Sequence, residues 1–475
     1  MKHIRLRLFP LVLACLSLAS CVTAADPPLQ ALRVPDRYDQ DGASQDVAVP
    51  SAAPAGRAAA AQPWWRGFGD ARLTRLVERV MDVNPDLVSA SLALRKARLQ
   101  AGLARNDQWP QPGGSLGSSA TRALDGASAT RYGSDAALSL SWEVDLWGRL
   151  RAARDVAQWE AEASAEDRHG VALALAGEAC RQYWNLAYLN QSIDAGDAHV
   201  AQLARTLALV GAQFQAGEVS LLALREAEQN LASQRVAQSA LLQQRTEARN
   251  AMTALLDGRS WPREDEPRGL AGALGLAVAP GLPAELLGRR PDLRAAELRL
   301  RKASASIEAA TRSYYPALTL TGSAGTSSTA LSGFLSNPFA ALGAGVTLPF
   351  LNVGRMRLDT DIARTDYETA ASDFRGTFHA ALQEVGDALA ARAQLAVQET
   401  EAQRSFDAAT DVERIYGVQY RAGGAGIRVW LEAQQTLREA ELVLAQIRRD
   451  QRLNDVTLQL ALGGDAGQTA QAGPP

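Results

Sequence analysis

From Leu138 to Leu146, apolar and polar residues alternate: Leu138, Leu140, Trp142, Val144 and Leu146 are separated by Ser139, Ser141, Glu143 and Asp145. A period of two places the two sets on opposite faces of a strand. Leu318-Thr319-Leu320-Thr321 and the stretch from Leu342 to Phe350 repeat the pattern more weakly. Both strand regions are rich in Gly, Ser and Thr. Each follows a helical stretch, about Leu73–Arg105 and Glu285–Thr311, that ends before an aromatic-Pro pair. Beyond the strands the pattern turns helical for a long way, with no proline between Pro112 and Pro262 or between Pro349 and Pro474. As continuous helix, Gly148 to Gly211 spans roughly 90 Å. Short breaks at Ala216-Gly217 and Ala422-Gly423 start further helices. In the last of these, Trp430, Ala433, Leu437, Ala440, Leu444, Ile447, Leu458 and Ala461 follow an alternating 4,3 spacing, interrupted by Gln451 and Asn454. That is a coiled-coil seam, and its alanines admit close neighbours.

The elements come twice at a fixed offset. Asn84-Pro85-Asp86-Leu87 recurs as Arg290-Pro291-Asp292-Leu293, 206 positions on (291 − 85), and Leu94-Arg95-Lys96-Ala97 recurs as Leu300-Arg301-Lys302-Ala303. The same offset relates Phe214-Gln215-Ala216-Gly217 to Tyr420-Arg421-Ala422-Gly423, and Glu226-Ala227 to Glu432-Ala433. A constant register over that distance marks two copies of one unit. The predicted organisation is a first repeat at 61–258 with its hairpin at about 111–147, a linker at 259–283, a second repeat at 284–464 with its hairpin at about 317–353, and a tail at 465–475. The predicted class is mainly α with a small β part: two tandem repeats, each a β-hairpin plus long antiparallel helices.

Residues 1–20 have the form of an export signal, with Lys2, Arg5 and Arg7 before an apolar stretch from Leu8 to Leu18. Leu18-Ala19-Ser20-Cys21 stands in the order of a bacterial lipobox, which makes Cys21 the candidate lipidation site. Val22 after that cysteine favours the outer membrane. Residues 21–60, rich in Ala, Pro and Asp, form a lipid-anchored tether. Cys15 leaves with the signal and Cys21 is acylated, so Cys180 has no partner for a disulfide within the chain.

Charge removes other classes. The 475 residues include 49 basic and 52 acidic side chains, a net charge of −3, which gives no electrostatic case for a nucleic-acid partner. After the signal no stretch reaches the 18 or so apolar residues of a spanning helix. His169, His199 and His379 are scattered, and no Gly-Lys pair exists for a phosphate loop. No catalytic residue, metal site or cofactor is therefore predicted. If the hairpins span a membrane, four strands per chain cannot close a barrel. Single-chain barrels need at least eight strands, and open edges cannot sit in lipid. Leu138, Leu140, Trp142, Val144 and Leu146 then meet lipid, while Ser139, Ser141, Glu143 and Asp145 face a lumen shared between copies.

An ordered set of motifs runs along the chain. It begins with Trp64-Trp65-x-x-Phe68-x-Asp70-x-x-Leu73 and Asn84-Pro85-Asp86-Leu87, and continues with Ser141-Trp142-Glu143-Val144-Asp145-Leu146-Trp147-Gly148-Arg149. Leu286-Leu287-Gly288-Arg289-Arg290-Pro291-Asp292-Leu293-x-x-Ala296-Glu297, Tyr315-Pro316, Pro349-Phe350-x-x-x-Gly354-Arg355 and Tyr420-Arg421-Ala422-Gly423 complete it. Over nearly the whole mature chain this set resembles the TolC-like outer-membrane efflux channels, or outer-membrane factors, in their lipoprotein branch.

The resemblance implies a homotrimer in the outer membrane, with a shared 12-stranded β-barrel and a periplasmic α-helical barrel. It implies an equatorial belt built from 259–283 and the C-terminal segment. It implies passage of drugs or other small molecules delivered by a periplasmic adaptor and an inner-membrane pump of the resistance-nodulation-division type, with no chemistry in the tunnel. In the family the helix-turn tips, here at Gly217 and Gly423, close the periplasmic entrance and meet the adaptor. An acid nine residues after the second glycine, in a Leu-Asp-Ala motif, forms a charged ring at the constriction. Leu431-Glu432-Ala433 makes Glu432 the matching position, and three copies would attract cations and repel anions. Gln435 stands where some relatives carry Arg. Tyr420 matches an aromatic that ties the closed gate, whereas Ala223 occupies the place of its acidic partner. A type I secretion channel shares the same fold. A lipid-anchored periplasmic coiled-coil scaffold without a pore is the alternative from another class, and strand alternation in both copies argues against it.

Overall fold

The computed structural model describes residues 35, 63–122, 130–270, 286–329 and 337–464. The first repeat runs α1 (Ala71–Val83), α2 (Pro85–Asn106), β1 (Gln111–Thr121), β2 (Arg131–Val144), α3 (Arg149–Gln215) and α4 (Leu221–Leu255). The second runs α5 (Leu286–Arg289), α6 (Pro291–Arg312), β3 (Ala317–Ser328), β4 (Pro338–Thr347), α7 (Val353–Arg421) and α8 (Ile427–Ala461). Residues 1–34, including Cys21 and the signal, lie outside the described residues, as do 271–285 and 465–475.

Where the apolar spacing predicts one helix at Leu73–Arg105, the chain forms two. Pro85 pushes Asn84 out of the helical region, to φ −67° and ψ 128°, and the Asn84 side chain accepts the Asp86 N–H at 2.9 Å to start α2. Pro291 does the same at Arg290 (φ −80°, ψ 124°), separating α5 from α6.

The four strands form one antiparallel sheet in sequence order. Leu138 pairs with Gly114 and Ala324, Trp142 with Leu320, and Leu318 with Val346. Because directly paired residues share a face, Leu116, Leu138, Leu140, Trp142, Leu320 and Leu342 lie on one side, and Ser115, Ser139, Ser141, Thr319 and Thr321 on the other. Leu138 is 73% exposed and Leu342 95%. Among the described residues, β1 and β4 each pair along one edge only. The alternation over-extends β2 by two positions. The strand stops at Val144, and Asp145 accepts the Leu150 and Arg151 N–H groups at 3.1 and 2.9 Å, capping α3 instead of facing a lumen. Leu146 accordingly leaves the sheet face.

α3 has 67 residues and α7 has 69, so each runs about 100 Å. α3 packs against α1, α2, α4, α6 and α8, and α7 against α6 and α8. Around the middle of α3 an apolar core gathers Tyr183 and Trp184 with Phe68, Leu73, Leu256 and Val456. Residues 259–270 run along the same stretch. Arg249 pairs with Glu266 at 2.7 Å, Asn190 Nδ2 donates to Pro267 O at 2.8 Å, and Leu270 N–H to Gln191 Oε1 at 3.0 Å.

The α8 seam faces α7, and its two interruptions bond to it: Gln451 Nε2 donates to Glu399 Oε2 at 2.9 Å and Asn454 Nδ2 to Ala388 O at 2.9 Å. A second buried face escapes the 4,3 spacing. Ile427 and Leu431 pack with Leu203 and Val210 of α3 and Ala223 and Ala227 of α4, and the buried Gln434 and Arg438 continue that row. No described helix is long and apolar enough to cross a membrane.

Candidate functional site

The two reversals, α3 to α4 and α7 to α8, are built alike. Gly217 has φ 76° and Gly423 φ 75°, a left-handed conformation that glycine adopts without a Cβ penalty. Glu218 N–H donates to Gln213 O at 2.9 Å, and Gly424 N–H to Gln419 O at 2.8 Å. These bonds across the glycine satisfy the last carbonyls of the long helices. The exits differ: Ser220 accepts the Ala223 N–H at 3.3 Å at the start of α4, while Gly426 at the equivalent place leaves α8 without a side-chain cap.

Tyr420, at the end of α7, donates its hydroxyl to Gln213 Oε1 of α3. Its ring stacks on Trp430 at 5.2 Å, and Trp430 Nε1 donates to Glu413 Oε1 at 3.0 Å. Burial holds the Tyr420 phenol above its ordinary pKa, so the hydroxyl remains the donor. Gln213 thus takes a place that Ala223 cannot, because Ala223 is buried among Val210 and Leu431. No local pattern announces this contact, which spans 207 positions.

Glu432 lies in the second turn of α8, with its side chain 60% exposed, and accepts from Arg428 Nε at 2.9 Å. Glu226, its counterpart in the first repeat, faces it from α4. Together with Gln229, Asn230, Arg428, Leu431 and Gln435 the two acids line a polar groove of about 140 Å³. The fold therefore brings Tyr420, Gly423 and Glu432 to one reversal and joins it to the Gly217 reversal through the apolar contacts of Ile427 and Leu431. Arg428 is absent from the motif-based site. Its signal was the i, i+4 spacing to Glu432, which sets two helical side chains side by side. Cys21 lies outside the described residues. Cys180 is fully buried, which pushes its thiol pKa up. Among the described residues no group of His, Cys, Asp and Glu could hold a metal ion.

Apolar rows remain uncovered on two helices. Val88, Leu92, Leu99 and Leu103 form one on α2, and Val412, Ile415 and Val418 lie on α7. Rows of this kind mark surfaces that another chain covers.

The pyoverdine export outer membrane protein OpmQ of Pseudomonas putida is 31% identical over 466 residues, covering 94% of this chain and 95% of that protein. The probable outer membrane lipoprotein SilC of Salmonella typhimurium is 27% identical, covering 94% and 96%. The open-state crystal structure of the Neisseria gonorrhoeae MtrE outer membrane channel matches with a TM-score of 0.82 at 26% identity, covering 94% of this chain and 99% of that one. The family described as outer membrane efflux protein matches residues 76–258 and 282–464. This chain, with its doubled hairpin and long helices, belongs to the outer membrane efflux protein family.

Proposed function

We propose that three copies of this chain form a passive outer-membrane channel, which conducts drugs or other small molecules from periplasm to exterior. Substrate arrives from an inner-membrane pump of the resistance-nodulation-division type through a periplasmic adaptor. The observation that carries this reading is the four-stranded sheet with one exposed apolar face and two open edges. In lipid each unpaired backbone group costs several kcal/mol. Setting β4 of one copy against β1 of the next closes twelve strands, an even number within the bacterial range. The uncovered apolar rows of α2 and α7 supply seams between the same copies below the membrane.

In this assembly the reversals at Gly217 and Gly423 form the periplasmic tips, Tyr420 ties the second tip to α3, and Glu432 lines the constriction. Cys21 anchors each chain by its lipid. The repeats at 61–258 and 284–464 each contribute one hairpin and one set of tunnel helices, and residues 259–283 contribute to a belt. The duct performs no catalysis, and energy comes from the pump.

Native mass spectrometry of the protein extracted from membranes in mild detergent tests the assembly. A trimer of chains starting at Cys21, each carrying diacylglycerol and an acyl chain, is expected. An unlipidated monomer that stays in solution without detergent would remove the channel reading.

A further inference from the structure

The groove between α4 and α8 contains two acids and one base. The acids, Glu226 and Glu432, are counterparts in the duplication, 206 positions apart, and the fold sets one on each helix. The base is not duplicated: Leu222 occupies the first-repeat position that corresponds to Arg428. Arg428 Nε donates to Glu432 Oε1 at 2.9 Å. That hydrogen bond raises the Arg428 pKa, and the charges of Glu432 and then Glu226 raise it further, so the guanidinium sits in the field of both acids. Gln229, Asn230 and Gln435 complete the polar lining with uncharged amides, which leaves Arg428 as the one cation of this groove.

We propose that Arg428 is a specificity-determining residue of the constriction, a tethered counter-cation that cancels the charge of Glu432 and denies the groove to free polyvalent cations. The proposal rests on the reading that Glu432 lines the constriction. The two acids of three copies alone would bring six negative charges to the ring; with three Arg428, each one turn from a Glu432, three remain. The strength of each pair matters little here. The side chains are 73% and 60% exposed, and exposed pairs contribute little to stability. What an entering ion meets is the summed charge within a screening length of about 8 Å at physiological salt. Stripped of Arg428, the groove would present two carboxylates beside the amide oxygens of Asn230 and Gln435, the hard oxygen donors that divalent and trivalent metal ions take. The guanidinium occupies that field from within the chain.

Full-length trimers in planar bilayers test this, read by the reversal potential in a potassium chloride gradient and by block with lanthanum ions added on the periplasmic side. Wild-type channels are expected to show a moderate cation preference and little block. Arg428→Gln should raise the potassium-to-chloride permeability ratio roughly threefold or more and bring on block at lower lanthanum concentration. Arg428→Lys, which keeps the charge, should match wild type. Glu432→Gln should shift preference toward anions. If Glu432→Gln shifts selectivity but Arg428→Gln changes neither selectivity nor block, Arg428 is no counter-charge and the proposal is overturned. If Glu432→Gln itself changes nothing, the constriction reading fails first and takes the proposal with it.

Discussion

Asn84 and Arg290 stand at equivalent positions of the two repeats and make the same contact. Asn84 Nδ2 donates to Leu255 O at 3.0 Å, and Arg290 Nη1 donates to Ala461 O at 3.0 Å. Leu255 and Ala461 are the last residues of α4 and α8, so each contact satisfies a carbonyl that the helix end leaves without an intrahelical partner. Both side chains are buried. In the second repeat the longer side chain does more. Arg290 forks onto Asp292 at 3.0 and 2.7 Å and reaches Glu384 of α7 at 2.6 Å, so one guanidinium joins α6, α7 and α8.

Truncating either residue should loosen the junction. Asn84→Ala is expected to cost about 1–2 kcal/mol through the lost carbonyl partner. Arg290→Ala should cost somewhat more, about 2–3 kcal/mol, because its acids are half exposed and water screens what remains. The pH dependence separates the two. Burial favours the neutral form of Asp292, but the hydrogen bonds and charge of Arg290 outweigh it and hold the pKa below the ordinary carboxylate range. A group depressed in the folded state stabilises above its unfolded pKa and loses that contribution as pH falls through the folded one. The difference in thermal midpoint between wild type and Arg290→Ala should therefore shrink below about pH 4, while the Asn84→Ala difference stays level. A constant Arg290→Ala gap down to pH 3 would show that the Asp292 charge contributes nothing.

Gln434 is expected to be a site of natural instability. Its side chain is 2% exposed, and neither its Oε1 nor its Nε2 has a hydrogen-bond partner. The amide is already sealed by its own chain, so no neighbouring copy can reach it. An unpaired buried polar group costs about 1–3 kcal/mol, and Gln434→Leu keeps most of the volume while removing that cost. The variant should dissociate or unfold at a higher temperature than wild type by differential scanning calorimetry. A lower midpoint would mean that the amide is satisfied within the chain, by a buried water or a shifted neighbour, and carries no unpaired cost.

The residues that made the fold legible are those with strong local rules. The absence of proline from 113 to 261 and from 350 to 473 announced the long helices, and the Leu138–Val144 alternation announced β2. Pro85 and Pro291 also marked their breaks, but an apolar row continues on both sides of each and suggests a longer helix. Asp145 shows the limit of alternation, since its carboxylate has a better partner in the α3 N-terminus than in the strand pattern. The tip is less legible. Gly217 and Gly423 follow from turn chemistry, whereas the Tyr420 partner Gln213 comes from a helix distant in sequence. The polar residues Gln434 and Arg438 hide a buried face because the hydrophobic spacing skips them.

The glycines at the two reversals should respond equally. A Cβ at Gly217 or Gly423 would meet no atom within 4 Å, so the cost of alanine comes from the left-handed backbone alone. That cost is about 1–2 kcal/mol for an L-residue. Gly217→Ala and Gly423→Ala should each speed amide hydrogen exchange in residues adjoining their own turn, to similar degrees, with little effect near Trp184. A large effect at only one turn would mean that contacts between copies, and not the backbone, govern that reversal.

At Tyr420 the hydroxyl and the ring can be told apart. Tyr420→Phe removes the bond to Gln213 but keeps the stack on Trp430. Gln213 is only half-buried, so water can replace the lost partner, and the expected cost is about 1 kcal/mol or less. Trp430→Ala removes the stacked ring and the donor to Glu413, and should cost about 2–3 kcal/mol, below the full core value because Trp430 is half-buried. Amide exchange across 413–431 reads both as opening free energies, and leak conductance in a bilayer reads them as gating. If the ring dominates, Tyr420→Phe channels should leak little more than wild type and Trp430→Ala channels much more. Equal leak in the two variants would assign the tie to the hydroxyl, making the Tyr420–Gln213 hydrogen bond, and not the aromatic packing, the contact that governs opening at this reversal.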